Sequence, residues 1–337
     1  MGWWLVDADT LVRSRFVISP YAETFASLNL LEGGVGAHPG ETAWLRAHLP
    51  GYRALLAADP LTAPLVRGGL GQGWIADFLT PTPYDGESFE ESLARVRATP
   101  PDEARADLRR SFGGPLPAAL EERDDLPERA AAVLSHVWED AVRPYWDRRR
   151  RVLEADVVAR LAQVSRGGWV AVLDSLRPGR TRWLGENRLQ VNLQQNPPRE
   201  ITSGAELLFV PVTVQRAGWV SWEGRERYAI MYPCTGVLAE DHDRRAVPSG
   251  LGALVGAARA GLLVLLGTPM TTTQLVAVTG QGLGSVGRHL RVLLNAGMVE
   301  RRRTGKSVLY VRTAAGEVLV EASGGGAGER EPEPGVR

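Results

Sequence analysis

The chain has one cysteine, Cys234, and one lysine, Lys306, among 337 residues. A single thiol excludes a disulfide framework and any thiolate-clustered zinc site built within one chain. With one lysine, arginine supplies nearly every basic charge, an imprint of gene base composition and not of physical adaptation. Net charge is missing too: 39 Lys+Arg face 39 Asp+Glu, which argues against an indiscriminate polyanion binder. Long hydrophobic runs are absent. The longest, 251–267, is interrupted by Arg259 and falls short of the roughly 18 uninterrupted residues of a spanning helix. The first nine residues carry no basic n-region, so no secretory signal is expected. These absences point to a soluble, cytoplasmic chain with no membrane partner. What remains, 44% hydrophobic and 23% charged residues, is ordinary globular composition, and the length suggests two domains.

Hydrophobic spacing predicts a strand at 15–18, a helix over 21–31 stopped by Gly33-Gly34, and a second helix over 42–58. Residues 60–87, rich in Gly and Pro, read as loops. Helices are expected at 89–98 and 102–112, then a long one from Leu126 to Arg143. Pro144 should bend it, with a continuation over 145–166 ending at Gly167-Gly168 and further helix over 169–176 before Pro178-Gly179. The period then changes from 3.6 to 2. Segments 188–194, 206–214, 219–222 and 228–232 read as an antiparallel β-meander of about four strands. The expected class is therefore α+β: an N-terminal helical domain with an antiparallel β-meander over 1–245, then a C-terminal winged helix-turn-helix over 250–320. Residues 240–250 read as a linker and 323–337 as a Gly/Glu/Pro-rich disordered tail.

The winged-helix reading starts from the apolar helix 254–266, stopped by Gly267. Thr272-Thr273 offers a cap for a short helix over 274–278, and Thr279-Gly280-Gln281-Gly282 supplies the turn. The next helix, 283–296, places Val286, Leu290, Leu293 and Leu294 on one face, and Arg288, Arg291 and Asn295 on the other. Strands 298–303 and 307–312 follow, joined through Thr304-Gly305-Lys306. Between Ser285 and Arg312 lie seven basic residues and one acid, Glu300. A cationic helix and hairpin suit a helix in the DNA major groove with a wing over the backbone.

The run Ser285-Val286-Gly287-Arg288-His289-Leu290-Arg291-Val292-Leu293-Leu294-Asn295-Ala296-Gly297-Met298-Val299, with Arg302-Arg303-Thr304-Gly305-Lys306-Ser307-Val308-Leu309-Tyr310, resembles the recognition helix and wing of ArsR/SmtB-type repressors. Weaker likenesses, at 15–30 and 138–156, are similar to a domain of unknown function that precedes this module in actinobacterial regulators. The resemblance implies a homodimeric repressor on double-stranded operator DNA, with Gly284, Ser285, Gly287, Arg288, Arg291, Asn295, Arg301, Arg303 and Lys306 as the DNA-binding set. Two departures stand out: Gly287 where the family usually has serine, and Gly282-Leu283 where it often has Ser-Pro. Metal sensing is not expected, since Cys234 lies outside the module and His289 sits at the edge of the apolar face.

Other motifs carry less. Gly282-Leu283-Gly284-Ser285-Val286-Gly287 matches a dinucleotide fingerprint letter for letter, but a helix precedes it where a strand is needed. Gly305-Lys306-Ser307 lacks the first P-loop glycine, and Glu240-Asp241-His242-Asp243 reads as a solvated linker. His136 and Asp140 stand one helical turn apart with no nucleophile nearby. All ten tryptophans precede residue 250. Trp138, Trp146, Trp183, Trp219 and Trp222 are candidates either for core packing or for a pocket that takes an apolar small-molecule effector. No cofactor and no catalytic residue is expected. The alternative is an enzyme domain over 1–250 fused to the winged helix.

Overall fold

A computed structural model of the chain describes residues 2–71, 73–194, 196, 198–234, 248–267, 269–279, 281–304 and 307–324. The chain mixes helix and strand and divides into two compact units, residues 1–238 and 239–337.

The first unit opens with β1 (Trp3–Leu5), α1 (Ala8–Arg13), β2 (Arg15–Phe16), α2 (Pro20–Gly33), α3 (Pro39–Ala58) and α4 (Thr62–Leu70). Helices α5 (Phe89–Arg97), α6 (Pro101–Phe112), α7 (Ala118–Glu121), α8 (Leu126–Val137) and α9 (Trp146–Leu176) follow. The unit closes with β3 (Arg182–Gly185), β4 (Arg188–Gln190), β5 (Arg199–Glu200), β6 (Glu206–Val212), β7 (Val220–Glu223) and β8 (Arg227–Pro233).

Helix α2 is the centre of this unit. Ser19 caps it, Pro20 presets its first turn, and Gly34 ends it in the left-handed region at φ 64°. Its residues are buried nearly all round, polar ones included: Glu23, Thr24 and Ser27 are all shielded from solvent. Glu23 answers for its charge through Arg149 of α9, 2.6 Å away and equally buried, and through the backbone N–H of Thr213.

The strands form two four-stranded sheets, in the orders β3-β4-β1-β5 and β2-β6-β8-β7. The expected antiparallel meander is not what forms. Strands β2 and β6 run parallel, as do β6 and β8, because β7 takes the outer edge and its hairpin returns β8 beside β6. Unbroken apolar runs such as Leu207 to Val212 are typical of strands buried on both faces, as parallel pairs usually are. Leu208, Val210, Val212, Ala229 and Met231 face the helical core. Leu207, Phe209, Tyr228, Ile230 and Tyr232 face a second core with Trp4, Leu173 and Leu189.

Two helix expectations also change. Residues 62–70 form a helix and not a loop, because Gly68 and Gly69 are packing residues there; a Cβ on either would overlap the Phe112 ring or the Leu79 side chain. The long helix ends at Val137 and passes through a wide turn and a tight one before α9, as Pro144, which lacks an N–H, dictates. Helix α9 runs to Leu176 with one break at Gly168 (φ 66°, ψ −179°), between the two helical stretches expected on either side of Gly167-Gly168.

The second unit comprises α10 (Ser249–Val255), α11 (Ala257–Leu265), α12 (Thr272–Thr279), α13 (Leu283–Asn295), β9 (Val299–Thr304), β10 (Ser307–Arg312) and α14 (Ala314–Gly324). The apolar helix expected over 254–266 is two helices, since Gly256 adopts φ 83°. Helix α14 reaches Gly324, two residues into the stretch read as a tail; 325–337 lie outside the described residues, as do Lys306 and the 240–243 acidic cluster. Leu262, Leu263 and Leu266 pack with Leu275, Val286, Leu290, Leu293 and Val299 in one core.

Candidate functional site

Helix α12 begins with a reciprocal cap: Thr271 Oγ1 accepts from the Gln274 N–H, and Gln274 Oε1 accepts from the Thr271 N–H. Helix α13 has no such support. Its N-cap is Gly282, which offers no side chain to the first-turn amides. Its other end is well closed: Gly297 takes φ 69°, and the Gly297 and Met298 N–H groups donate to the carbonyls of Leu294 and Leu293.

Burial fixes how α13 is turned. Val286, Leu290 and Leu293 face the core, while Gly284, Arg288, Arg291 and Asn295 are exposed. Ser285 and Gly287 are half-buried. The Ser285 hydroxyl lies 3.4 Å from His289 Nε2, so His289 is engaged along its own helix. Among the described residues, Arg288 and Arg291 face no acid within salt-bridge distance.

The hairpin adds to this surface unevenly. Strands β9 and β10 pair Arg301 with Tyr310, Arg302 with Leu309 and Arg303 with Val308. Arg301 is exposed and has no acidic partner among the described residues. Arg302 is tied to Glu300 at 2.5 Å. Arg312, which sequence counting placed in the basic patch, is buried with its Nε 3.1 Å from a Glu317 carboxylate oxygen. Glu317 lies on α14, an element the periodicity reading omitted. A bridge between Met270 and Tyr310 fastens the hairpin to the segment before α12. The described cations free to meet a polyanion are therefore Arg288, Arg291 and Arg301. An exposed row of this kind can neutralise phosphates and reach base edges; arginine's planar fork matches two acceptors at once.

The five tryptophans weighed as an effector pocket do not gather. Trp138 stacks on Phe89 at 4.7 Å and meets Trp146 at 5.8 Å within the helical core. Trp183 packs on the second core. Trp219 and Trp222 do line a cleft of about 400 Å³. Trp74 lines it with them, its ring 5.4 Å from Trp222 edge to face. The cleft wall is largely polar and includes Arg177 and Asp77. Burial and the nearby Asp107 push the Asp77 carboxyl up to about 6, against the pull of Arg110. Trp74 and Arg177 escaped sequence reading because each sits in an irregular segment, where periodicity assigns no face.

Among the described residues no group of three or more His, Cys, Asp and Glu could hold a metal ion, and no helix is long and apolar enough to cross a membrane. His136 and Asp140 do pair, at 3.4 Å. No curated protein and no solved structure matches the chain. Residues 262–301, from within α11 to the third residue of β9, match the family of bacterial regulatory proteins described as the arsR family, so this segment is an arsR-family regulator domain.

Proposed function

We propose that the chain is a DNA-binding transcription regulator in which α13 enters the major groove and the β9–β10 hairpin acts as a wing over the backbone. The observation that carries this reading is the solvent-facing Arg288, Arg291 and Arg301, without acidic partners among the described residues, all inside the arsR-family segment. On this reading the chain works in the cytoplasm as a homodimeric repressor. Two copies of α13 then stand about 34 Å apart on half-sites one helical turn apart. The first unit serves as a non-catalytic sensing and dimerising part that biases operator affinity when a small molecule binds. Quantitative binding of the full chain to a DNA fragment from its own promoter and to random DNA, at two salt concentrations, tests it. Promoter preference with a steep salt dependence supports the reading; no salt-sensitive binding to either DNA overturns it, and a monomer protecting one half-site overturns the dimer.

A second reading, an enzyme domain joined to a DNA-binding module, draws on one observation: the first-unit cleft is lined by an acid shifted to about 6 and, separately, by a desolvated arginine. Both groups are engaged by structural partners, Asp77 by Trp74 Nε1 and Arg177 by two carbonyls. Recovery of a chemically altered ligand from that cleft would favour this reading over the sensor.

A further inference from the structure

The cleft opens where the chain leaving α9, the segment between β4 and β5, the approach to β7 and the segment after α4 meet. Its volume, about 400 Å³, is within the range of small-molecule sites. Arg177 sets it apart from a surface groove. This residue is only 7% exposed, yet among the described residues it faces no carboxylate within ion-pair distance. Its partners are two carbonyls, Gly218 O at 2.8 Å and Val191 O at 3.4 Å.

A guanidinium carries five N–H donors and does not shed its charge. Two carbonyls therefore leave donors unused and a full positive charge unanswered at the wall of a cavity. Such burial is costly without a counter-ion. The other two buried arginines of this unit meet that cost with acids: Arg149 with Glu23 at 2.6 Å, and Arg160 with Asp156 at 3.5 Å. Burial, reinforced by Arg180, pulls the Arg177 pKa down to about 10. Asp77 shares the cleft but is turned to Trp74 Nε1, and Arg110, 3.8 Å away, answers its charge. Gly218 shapes the seat: at φ 149° it holds a conformation L side chains rarely adopt, and a Cβ there would stand 2.8 Å from Arg177 Nε.

The rest of the lining says what accompanies the charge. Exposed Arg180 and Arg216 repeat its sign. Trp74, Trp219 and Trp222 supply flat aromatic surface, and Asn192 and Asn196 supply amides able to donate and accept. We propose that this cleft binds a small organic anion bearing an aromatic or heteroaromatic ring, with its carboxylate or phosphate on Arg177 and its ring against the tryptophans. Binding at this site rests on the cleft alone; only its effect on DNA rests on the regulator reading above.

Calorimetry on the full chain, without DNA, tests the site. The ring-bearing anions are benzoate and a purine nucleoside 5′-monophosphate, whose comparison separates a carboxylate source from a phosphate one. Indole supplies the ring without charge, and acetate the charge without ring. The expected result is saturable 1:1 binding of at least one ring-bearing anion, at least about tenfold tighter than both controls, as a charge-assisted hydrogen bond implies. Arg177→Met should lower that affinity about tenfold or more. The Arg180→Ala/Arg216→Ala pair, at exposed positions, should lower it a few-fold in a chain that still folds. No saturable heat from either ring-bearing anion at millimolar concentration overturns the proposal, as does unchanged affinity in both sets of variants. If the anion binds but operator affinity does not move, the site stands and the sensor reading falls.

Discussion

Arginine serves opposite ends in the two units. In the first it is mostly answered: Arg149 by Glu23, Arg227 by Glu206 and Glu223, Arg129 by Asp59 and Asp125. In the second, Arg312 and Arg302 are paired, whereas Arg288, Arg291 and Arg301 face solvent without an acidic partner among the described residues. One side chain thus cements long-range contacts in the first unit and is held in reserve in the second. The neutral sum of the chain hides this division. Charge balance describes a molecule only region by region.

The sharpest way to break the comparison is to remove a partnered arginine. Arg149→Met leaves Glu23 buried without its cation, so the first unit should lose about 3–5 kcal/mol of stability, read by denaturant unfolding. A loss as small as that of a surface pair would show that the N–H and hydroxyl of Thr213 suffice for Glu23.

An unpartnered arginine should behave the other way. Arg288→Ala is expected to leave unfolding unchanged and to cost about 1–3 kcal/mol on the operator, relaxing preference at one base position. Arg301→Ala should weaken operator and random DNA alike and lower the salt slope by about one. Equal losses on both DNAs for Arg288→Ala, with an operator-only loss for Arg301→Ala, would reverse the assigned docking.

Glycine sharpens the same contrast more gently. Beyond its chain neighbours and its own helix backbone, no described atom lies within 4 Å of a Cβ built on Gly284. Gly284→Ala should therefore stabilise α13 by up to about 1 kcal/mol, seen as an upward shift in its melting. At Gly68 of α4 an added Cβ overlaps the Phe112 ring, so the same substitution there is expected to destabilise.

The smallest effect concerns Asp77, whose folded pKa, about 6, lies above the ordinary aspartate value. A group with a raised folded pKa contributes stability that is present below its unfolded pKa and is lost as pH rises through the folded one. Asp77→Asn should accordingly melt higher than the parent at pH 8, by no more than about 2–4 °C. The difference should vanish below about pH 4. A constant difference at both pH values would refute the shift.

The second unit was largely legible in the sequence because its chemistry is local. The 283–296 helix, the hairpin and the face carrying Arg288 and Arg291 follow from spacing within a few turns. The break at Gly256, the cap at Thr271, the helix after the hairpin and the pairing of Arg312 with Glu317 on that helix were missed. In the first unit most helices could be read and the sheets could not. The pairing of β6 with β8 depends on which strand inserts between which, and apolar runs look alike in parallel and antiparallel settings. Glu23 and Arg149 meet across 126 positions, and neither has a neighbour in sequence that marks it as buried. Arg177 follows the last turn of α9, where no periodicity says which side chain turns inward. The cleft was invisible for that reason, and the tryptophans suggested an apolar pocket where the structure has a polar one.

The parallel pairing of β2 with β6 has a consequence for how the chain is made. Arg15 at the start of the chain is bonded to Glu206, 191 residues later. Synthesis must run past β8 before the sheet that organises the first core can close. Until then α2, with Glu23 and its apolar neighbours, lacks the strand partners that bury it. Contacts so far apart in sequence impose a large loop-closure entropy and slow folding. The second unit, built from turns, one hairpin and adjacent helices, can fold as it emerges. The second unit is therefore the quicker of the two to mature, and the slow step in producing a working molecule belongs to the first unit.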